Sequence, residues 1–462
     1  MLVNAGARLD RLPMSGFHRR VMWLIGIGMF FDGFDIYVAS TVLGATLHAG
    51  FSTLAENALF VSMTFLGMTL GACATGFLGD RFGRRFTYQA NLMIFGVASL
   101  AAACAPGMAF LIVCRFFMGL GLGAENVVGY STMAEFVPPG SRGKLQGLMA
   151  VFVVTGLPVS ALAGLLLVPA FGWRVMFVLG GVGALAVWYA RKALPESPRW
   201  LAATGRDVEA DALLRTIEAE VEAEKGPLPA PSTAPIRTFS REFRSLFSPE
   251  LLPRLLVGCL VLVVINTLLY GFVTWLPTFF VSQGMTVAKS FMFAFIMSLG
   301  APIGSGIGAL TADHLGRKTV IIGSSALAIV FGAIYPFVND PTLLTIVGLL
   351  LVIPVYVLVA LLFGIYVPEL FPTEVRLRAA GICNTFGRGA TIVTPFVVVW
   401  LFANHGITGV LALMISLLVL QIVAVAFWGV EPKGRGLEDV AAGDRPSPRV
   451  ASRPAPSPPP PL

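Results

Sequence analysis

The sequence predicts an all-α membrane protein with twelve transmembrane helices. Of its 462 residues, 56% are hydrophobic and only 12% are charged, about half the charged fraction of an average soluble domain. Twelve apolar runs are each long enough to cross a hydrocarbon core of ~30 Å. This composition argues against a secreted enzyme, a nucleic-acid-binding protein and a disulfide-stabilised scaffold.

The apolar runs are separated by charge clusters and by Gly/Pro turns. The first run lacks the features of a cleavable signal peptide, because the twenty residues before it are too polar, so we expect a retained helix. The predicted spans are 21–47, 57–79, 87–105, 108–133, 146–170, 174–192, 252–281, 288–311, 319–337, 342–367, 379–403 and 407–429.

The distribution of basic residues supports this count and predicts the topology. With twelve spans, 28 of the 32 Lys and Arg residues fall on the side of the membrane that carries both termini. Arg174 and Lys289 fall on the opposite side, while Arg115 and Arg388 lie within helices. The positive-inside rule therefore predicts a multi-pass protein with both termini in the cytoplasm. The short loops, without evident eukaryotic targeting or glycosylation signals, favour a bacterial inner membrane.

The predicted organisation is two six-helix bundles joined by a polar loop. It comprises a cytoplasmic N-terminal segment (1–20), an N-terminal bundle (21–192), a cytoplasmic central loop (193–251), a C-terminal bundle (252–429) and a cytoplasmic, largely disordered tail (430–462). Two motifs repeat across the loop: Gly79–Arg85 recurs as Ala312–Lys318, and Glu135–Gly147 as Glu369–Gly381. Their offsets of 233 and 234 residues predict two pseudo-symmetric halves with a substrate site between them.

These motifs resemble those of a known transport family. The loop at Gly79–Arg85 resembles the signature loop of the major facilitator superfamily. The segments Arg115–Gly123, Glu135–Gly143, Pro195–Arg199 and Pro368–Arg376 are similar to its sugar-porter-like branch. The resemblance implies the major facilitator fold and transport by alternating access.

Charged residues inside apolar spans are the candidates for ion coupling, since burying an unpaired charge in a membrane costs several kcal/mol. On the first helix, Asp32 and Asp35 lie three residues apart, nearly on one face, so their charges repel and at least one is expected to exchange a proton. Alternatively, one of them only hydrogen-bonds a neighbouring helix. The segment Asp32–Asp35 resembles the first-helix motif of aromatic-acid:proton symporters, which favours Asp35.

Two further charged residues lie on the fourth helix. In the resembling families the Arg at the position of Arg115 neighbours the first-helix Asp, which implies an Asp–Arg pair that protonation breaks. Arg115 could instead only tie helices together. Glu125 is a candidate second proton site or gate.

Arg388 is the candidate for binding an anionic substrate. It lies on the eleventh helix, and no acidic residue is found inside any span of the C-terminal half. A guanidinium in this setting needs a counter-ion, and its planar fork suits a carboxylate. The alternative is that Arg388 extends to water at the end of its helix. Further substrate-binding candidates are Asn266, Asn384, Tyr37, Tyr270 and Trp275.

The remaining charged motifs are interpreted as gating elements that pair in one conformation and separate in the other. Asp80 with Arg84, and Asp313 with Arg317, place an acid and a base beside helix ends. The others resemble the cytoplasmic salt-bridge network that joins the halves of sugar porters: Glu135, Arg142, Glu196, Arg199, Glu369 and Arg376.

We therefore predict a proton-coupled symporter for a small organic anion, such as an aromatic or pyridine carboxylate. Its partners are this substrate, protons and the lipid bilayer, and we expect a monomer without a cofactor or metal. Sugar or polyol symport is the alternative. However, sugar porters carry glutamines on the fifth and seventh helices, whereas here the fifth helix has none after Gln146 and the seventh helix has none between Asn266 and Pro277. Drug efflux and a non-transporting sensor fit less well.

Overall fold

The structure is a computed structural model that describes residues 4–231, 246–249, 251–282, 284–338, 340–371 and 375–431. Within these ranges all regular secondary structure is helical. Residues 4–231 are called the first half and residues 246–431 the second half. The tail predicted to be disordered lies, from residue 432 onward, outside the described residues.

The first half contains seven helices before the central segment. Several end at tight turns: Gly83 and Gly172 adopt positive φ angles of 92° and 76°, which glycine tolerates without steric cost. Thr53 and Glu56 form a capping box at the start of the third helix. The helices are α1 (Ala5–Asp10), α2 (Gly16–His48), α3 (Leu54–Phe82), α4 (Arg84–Ala103), α5 (Met108–Phe136), α6 (Pro139–Phe171) and α7 (Arg174–Ala190).

The central segment contains α8 (Pro198–Ala203) and α9 (Asp207–Lys225). The second half follows. Its helices are α10 (Leu252–Gly271), α11 (Leu276–Ser282), α12 (Val287–Ser298), α13 (Gly300–Leu315), α14 (Arg317–Ile334), α15 (Pro341–Leu361), α16 (Val367–Glu369) and α17 (Arg376–Trp428). A π-helical turn at Leu362–Tyr366 joins α15 to α16.

The predicted transmembrane count agrees with this structure. Eleven helical stretches of the described chain are long and apolar enough to cross a membrane, and the last of them is Arg378–Trp428. The backbone of α17 leaves the helical conformation at Gly406, with φ 61° and ψ −161°, between the predicted eleventh and twelfth spans. Division at this kink gives twelve membrane crossings.

Small residues allow the helices of the first half to approach closely. A Cβ atom added at Gly123 would lie 1.9 Å from the Met68 carbonyl oxygen, so α5 packs directly on the backbone of α3. Similarly, a Cβ at Gly33 would lie 2.0 Å from the Val153 carbonyl oxygen and would separate α2 from α6. These backbone contacts bring α5 against α3 and α2 against α6.

The halves contact each other mainly through α3 with α17, α6 with α12 and α13, and α2 with α11. We call the face of the membrane that carries residues 16, 83 and 191 the termini side. At the opposite face, a Cβ atom added at Gly44 would lie 3.4 Å from Pro277, so α2 and α11 pack closely there. Two side-chain hydrogen bonds cross between the halves in the described structure, from Ser62 to the Ile392 carbonyl (2.6 Å) and between the hydroxyls of Tyr37 and Tyr356 (3.1 Å).

The N-terminal segment is bound to the central helix by ion pairs on the termini side. Arg8 contacts Asp211 at 2.6 Å and Glu218 at 2.5 Å, and Arg11 contacts Glu218 at 2.6 Å. Burial opposes the ionisation of Glu218, but hydrogen bonds from Arg8 and Arg11 outweigh it and lower the pKa of this carboxyl group. The contact between α1 and α9 therefore combines these ion pairs with an apolar cluster that includes Leu9 and Ile217.

Candidate functional site

A buried ion pair joins α2 to α5 in the interior of the first half. The Arg115 guanidinium donates to Asp35 Oδ2 at 2.5 Å, to the Asp35 carbonyl at 2.8 Å and to Thr64 Oγ1 at 3.0 Å. Both charged side chains are 1% exposed. Asp35 Oδ1 has no hydrogen-bond partner among the described residues, so this oxygen is available to accept a proton.

A second buried ion pair, between Glu125 and Arg191, lies nearer the termini side. Arg191 also donates to the carbonyls of Leu24 (2.8 Å) and Ile25 (2.9 Å) on α2, and its guanidinium lies 4.8 Å from the centre of the Tyr88 ring. Arg191 follows α7 directly and was counted with the basic residues of the termini side, but its side chain is buried in the protein interior. The side chain turns inward because Glu125 and the two carbonyls satisfy its donors.

Asp32 is buried on α2 between these two pairs. Its carboxyl group interacts electrostatically with Asp35, Glu125 and Arg191. The four charged groups predicted for proton coupling, Asp32, Asp35, Arg115 and Glu125, therefore lie in one interior region. Arg191 is a fifth member of this group and was not among the predicted coupling residues.

Arg388 lies on α17 between the halves. It interacts electrostatically with Tyr270 on α10 and with Cys73 on α3. The side chain lies deep in the protein yet keeps some accessible surface. No carboxylate of the described structure forms a salt bridge with it. The guanidinium is therefore available to an anion that enters between the halves.

Aromatic hydroxyl groups lie around the same region. The Tyr270 ring packs 4.4 Å from the ring of Phe65, and the Tyr37 hydroxyl bonds that of Tyr356. All three tyrosines interact electrostatically with one another. Tyr356 was missed by sequence reasoning, although a tyrosine two residues after Pro354 in a strongly apolar span is a signal that could have identified it.

The other predicted substrate contacts differ in their environment. Asn266 and Asn384 each donate to a carbonyl four residues earlier, Leu262 at 2.7 Å and Ala380 at 2.9 Å. The Asn266 amide lies against Gly387, directly before Arg388, because a Cβ there would be 2.8 Å from Asn266 Nδ2. Trp275 is fully buried and stacks on Phe279 with a ring separation of 6.3 Å.

The charged motifs on the termini side form matching clusters in the two halves. In the first, Arg84 pairs with Glu135 at 2.9 Å, and Glu196 accepts the backbone N–H of Arg84 at 2.9 Å. In the second, Arg317 pairs with Glu369 at 3.0 Å, and Glu431 accepts the backbone N–H of Arg317 at 3.0 Å. Glu431 is thus the counterpart of Glu196, which the sequence comparison did not identify.

The remaining gating candidates are partly described. Arg199 pairs with Asp10 at 2.6 Å and donates to the Glu135 carbonyl at 3.0 Å. The side chains of Asp80, Arg142, Asp313 and Arg376 lie outside what the structure describes. Every ion pair between two described side chains joins residues of the same half, so a salt-bridge network between the halves stays a prediction.

Comparison with known proteins gives consistent matches over nearly the whole chain. The family described as "Sugar (and other) transporter" matches residues 21–443. The inner membrane metabolite transport protein YdjE of Escherichia coli is 37% identical over 445 residues, which cover 94% of this chain and 98% of that protein. The niacin transporter NiaP of Acinetobacter baylyi is 32% identical, with coverage of 94% and 99%.

The crystal structure of a D-xylose-proton symporter has the same fold, with a TM-score of 0.71, 17% identity, and coverage of 90% of this chain and 99% of that one. These matches agree with the helical architecture and with the predicted absence of enzymatic function. The chain therefore belongs to the sugar (and other) transporter family, the sugar-porter-like branch of the major facilitator superfamily, and is a multi-pass membrane transporter.

Proposed function

We propose that this transporter is a proton-coupled symporter that takes up a small organic anion, such as an aromatic or pyridine carboxylate. The observation that carries the proposal is Arg388, a guanidinium between the halves that forms no salt bridge with a described carboxylate. A carboxylate substrate would neutralise this charge and could accept two parallel hydrogen bonds from it. Tyr270 would supply an aromatic surface beside it.

Proton coupling in this proposal rests on Asp35 and Arg115. Protonation of Asp35 at Oδ1 removes the negative charge that holds Arg115, so the two side chains no longer form an ion pair. Since Arg115 also bonds Thr64 and the Asp35 backbone, its release changes the contacts among α2, α3 and α5. A proton can thereby shift the balance between two arrangements of these helices.

The relatives support an organic acid as the substrate. One protein of 32% identity is named a niacin transporter, and niacin is a pyridine carboxylate. The sugar-binding glutamines that the family resemblance implies for the seventh helix are absent between Asn266 and Pro277. An anion site at Arg388 accounts for both features.

The test is uptake of radiolabelled nicotinate into proteoliposomes. We expect an inward proton gradient to accelerate uptake, and Arg388→Gln to reduce nicotinate binding at least ~10-fold, since charge-assisted hydrogen bonds contribute about 1.5–3 kcal/mol. Arg215→Gln is the matched control, because it removes the same charge from the exposed face of α9. An uptake rate that is the same with and without the proton gradient would refute coupling. Unchanged nicotinate binding in Arg388→Gln would refute the anion site.

Sugar or polyol symport is the second candidate, because the structural match is to a D-xylose-proton symporter. A thermal-shift screen that compares organic acids with pentoses, hexoses and polyols separates the two. Stabilisation by a neutral sugar, retained in Arg388→Gln, would favour this alternative.

We further propose that residues 21–192 and 252–429 move as two bodies in a bacterial inner membrane, with both termini in the cytoplasm. The positive-inside count supports this orientation, and YdjE is named an inner membrane protein. Fusion of green fluorescent protein and of alkaline phosphatase to the C-terminus tests the orientation. We expect fluorescence and no phosphatase activity, and active phosphatase would contradict the proposal.

A further inference from the structure

One face of α2 carries a glycine and two carboxylates in register. Gly28, Asp32 and Asp35 are separated by four and three residues, so they lie along one stripe of the helix. All three are buried. Asp32 is therefore one helical turn from Asp35, on the side nearer the membrane face that carries the termini.

Because Gly28 has no side chain, it leaves space on α2 for the Glu125–Arg191 ion pair. A Cβ atom at this position would lie 1.9 Å from Arg191 Nη2 and 3.0 Å from Glu125 Oε1. Any other residue would therefore displace the pair from α2. The helix surface is shaped to hold these two charges one turn from Asp32.

The charged groups form a series from the interior toward the termini side. Arg115 and Glu125 are ten residues apart on α5, which corresponds to about 15 Å along the helix axis. Asp35 bonds the first of them, and Asp32 interacts electrostatically with Asp35, Glu125 and Arg191. Asp32 thus lies between the inner and the outer ion pair.

The groups described next to this series on α4 and α6 are apolar or neutral. From α4, the Tyr88 ring packs on Arg191, and its hydroxyl donates to the Val128 carbonyl at 2.9 Å. From α6, the groups that approach α2 here are Phe152, Val153 and Gly156, none of which titrates. Glu125 Oε2 has no hydrogen-bond partner in the described structure, which leaves an oxygen that can take up a proton.

We propose that Asp32, Glu125 and Arg191 form a second proton-exchange site, through which the proton bound at Asp35 leaves toward the termini side. The proton passes from the Asp35 carboxyl to the Asp32 carboxylate, and from Asp32 to Glu125. Protonated Glu125 releases Arg191, and loss of the proton to water on the termini side restores the ion pair. This inference deepens the proposed symport and rests on it for the direction of flow.

The direct test is infrared difference spectroscopy of the purified protein in lipid, between acid and neutral pH and without substrate. Protonated carboxyl groups give a separate C=O stretching band. We expect Asp32→Asn and Glu125→Gln each to alter a component of this band that is distinct from the component lost in Asp35→Asn. Glu222→Gln, on the exposed face of α9, is the control and should leave the band unchanged.

Transport in proteoliposomes separates a proton path from a structural role. In Glu125→Gln we expect proton-driven nicotinate uptake to fall about 100-fold, the contribution typical of a positioned proton-transfer group, while exchange at equal pH is kept. Glu125→Asp should restore part of the driven uptake. Equal loss of driven uptake and exchange, or no rescue by Asp, would overturn the proposal.

The outcomes distinguish this inference from the proposed function. If the wild type shows no proton-driven uptake, the symport proposal fails, and the infrared components still decide whether the second site exchanges protons. If the wild type is proton-driven but Asp32→Asn and Glu125→Gln leave the carboxyl band unchanged, only the second site is refuted.

Discussion

The Asp35–Arg115 pair allows a quantitative test by a double-mutant cycle. Both side chains are 1% exposed, so Asp35→Asn leaves the Arg115 cation buried without its counter-charge. Loss of one partner of a buried ion pair costs about 3–5 kcal/mol. We expect about 3 kcal/mol for Asp35→Asn, because asparagine keeps the size of the side chain and one acceptor oxygen.

The second arm of the cycle is Arg115→Gln, which leaves the Asp35 carboxylate without its donor and should cost a similar amount. The double variant removes both charges together. We expect its loss of unfolding free energy to be ~2 kcal/mol smaller than the sum of the single losses, since contacting residues are not additive.

The free energies of unfolding are measured by denaturant titration in mixed micelles. The pair Arg206–Glu209 on the exposed surface is the control cycle, and we expect it to show no measurable coupling. Additive losses at Asp35 and Arg115 would refute the buried pair as the bond that joins α2 to α5. In transport, Asp35→Asn should abolish concentrative uptake and leave counterflow.

Three further predictions test other contacts. Tyr37→Phe removes the hydroxyl that bonds across the halves and should cost about 1 kcal/mol, measured in the same micelles; no change would show that water replaces the bond. Gly28→Ala should destabilise the protein by about 1–3 kcal/mol through overpacking. The control Gly147→Ala should not, because no atom lies near its added Cβ. Equal stability of the two variants would contradict the close approach of the Glu125–Arg191 pair to Gly28. The pKa of Glu218 is lowered in the folded state, so docking of α1 is stable at neutral pH and weakens as the pH falls below the ordinary value of 4.5. The protection factor of the amides in residues 5–12, which corrects for the intrinsic pH dependence of hydrogen exchange, should then fall in acid. At neutral pH, Glu218→Gln but not Glu222→Gln should lower it, and a protection factor that is independent of pH would contradict this.

Much of the fold could be predicted from the sequence, because apolar length and the charge distribution both follow from the bilayer. The twelve crossings agree with the structure, including the division at Gly406 inside what is otherwise one long helix. The repeat also predicted the two matching clusters around Arg84 and Arg317. It did not relate Glu196, which was predicted as a gating residue, to Glu431, since their shared role is to accept backbone N–H groups and the residues around them differ.

The interior charges were harder to place. A span boundary drawn by composition leaves Arg191 at the edge, because sequence alone does not show which way a terminal side chain turns. Its destination depends on Glu125, 66 residues earlier, and on the space that Gly28 leaves free. Tyr356 was missed for a similar reason, since its partner Tyr37 is in the other half.

The location of the ion pairs has a consequence for how the transporter can change shape. The described ion pairs lie within one half, while the described contacts between the halves are apolar surfaces, two hydrogen bonds between neutral groups and the interaction of Arg388 with Cys73. Strong, directional bonds thus hold the helices of each half together, whereas the contacts between the halves are only weakly directional. When the two halves slide along this interface, no described ion pair moves between water and protein. The halves can therefore reorient without breaking the bonds that keep each one rigid.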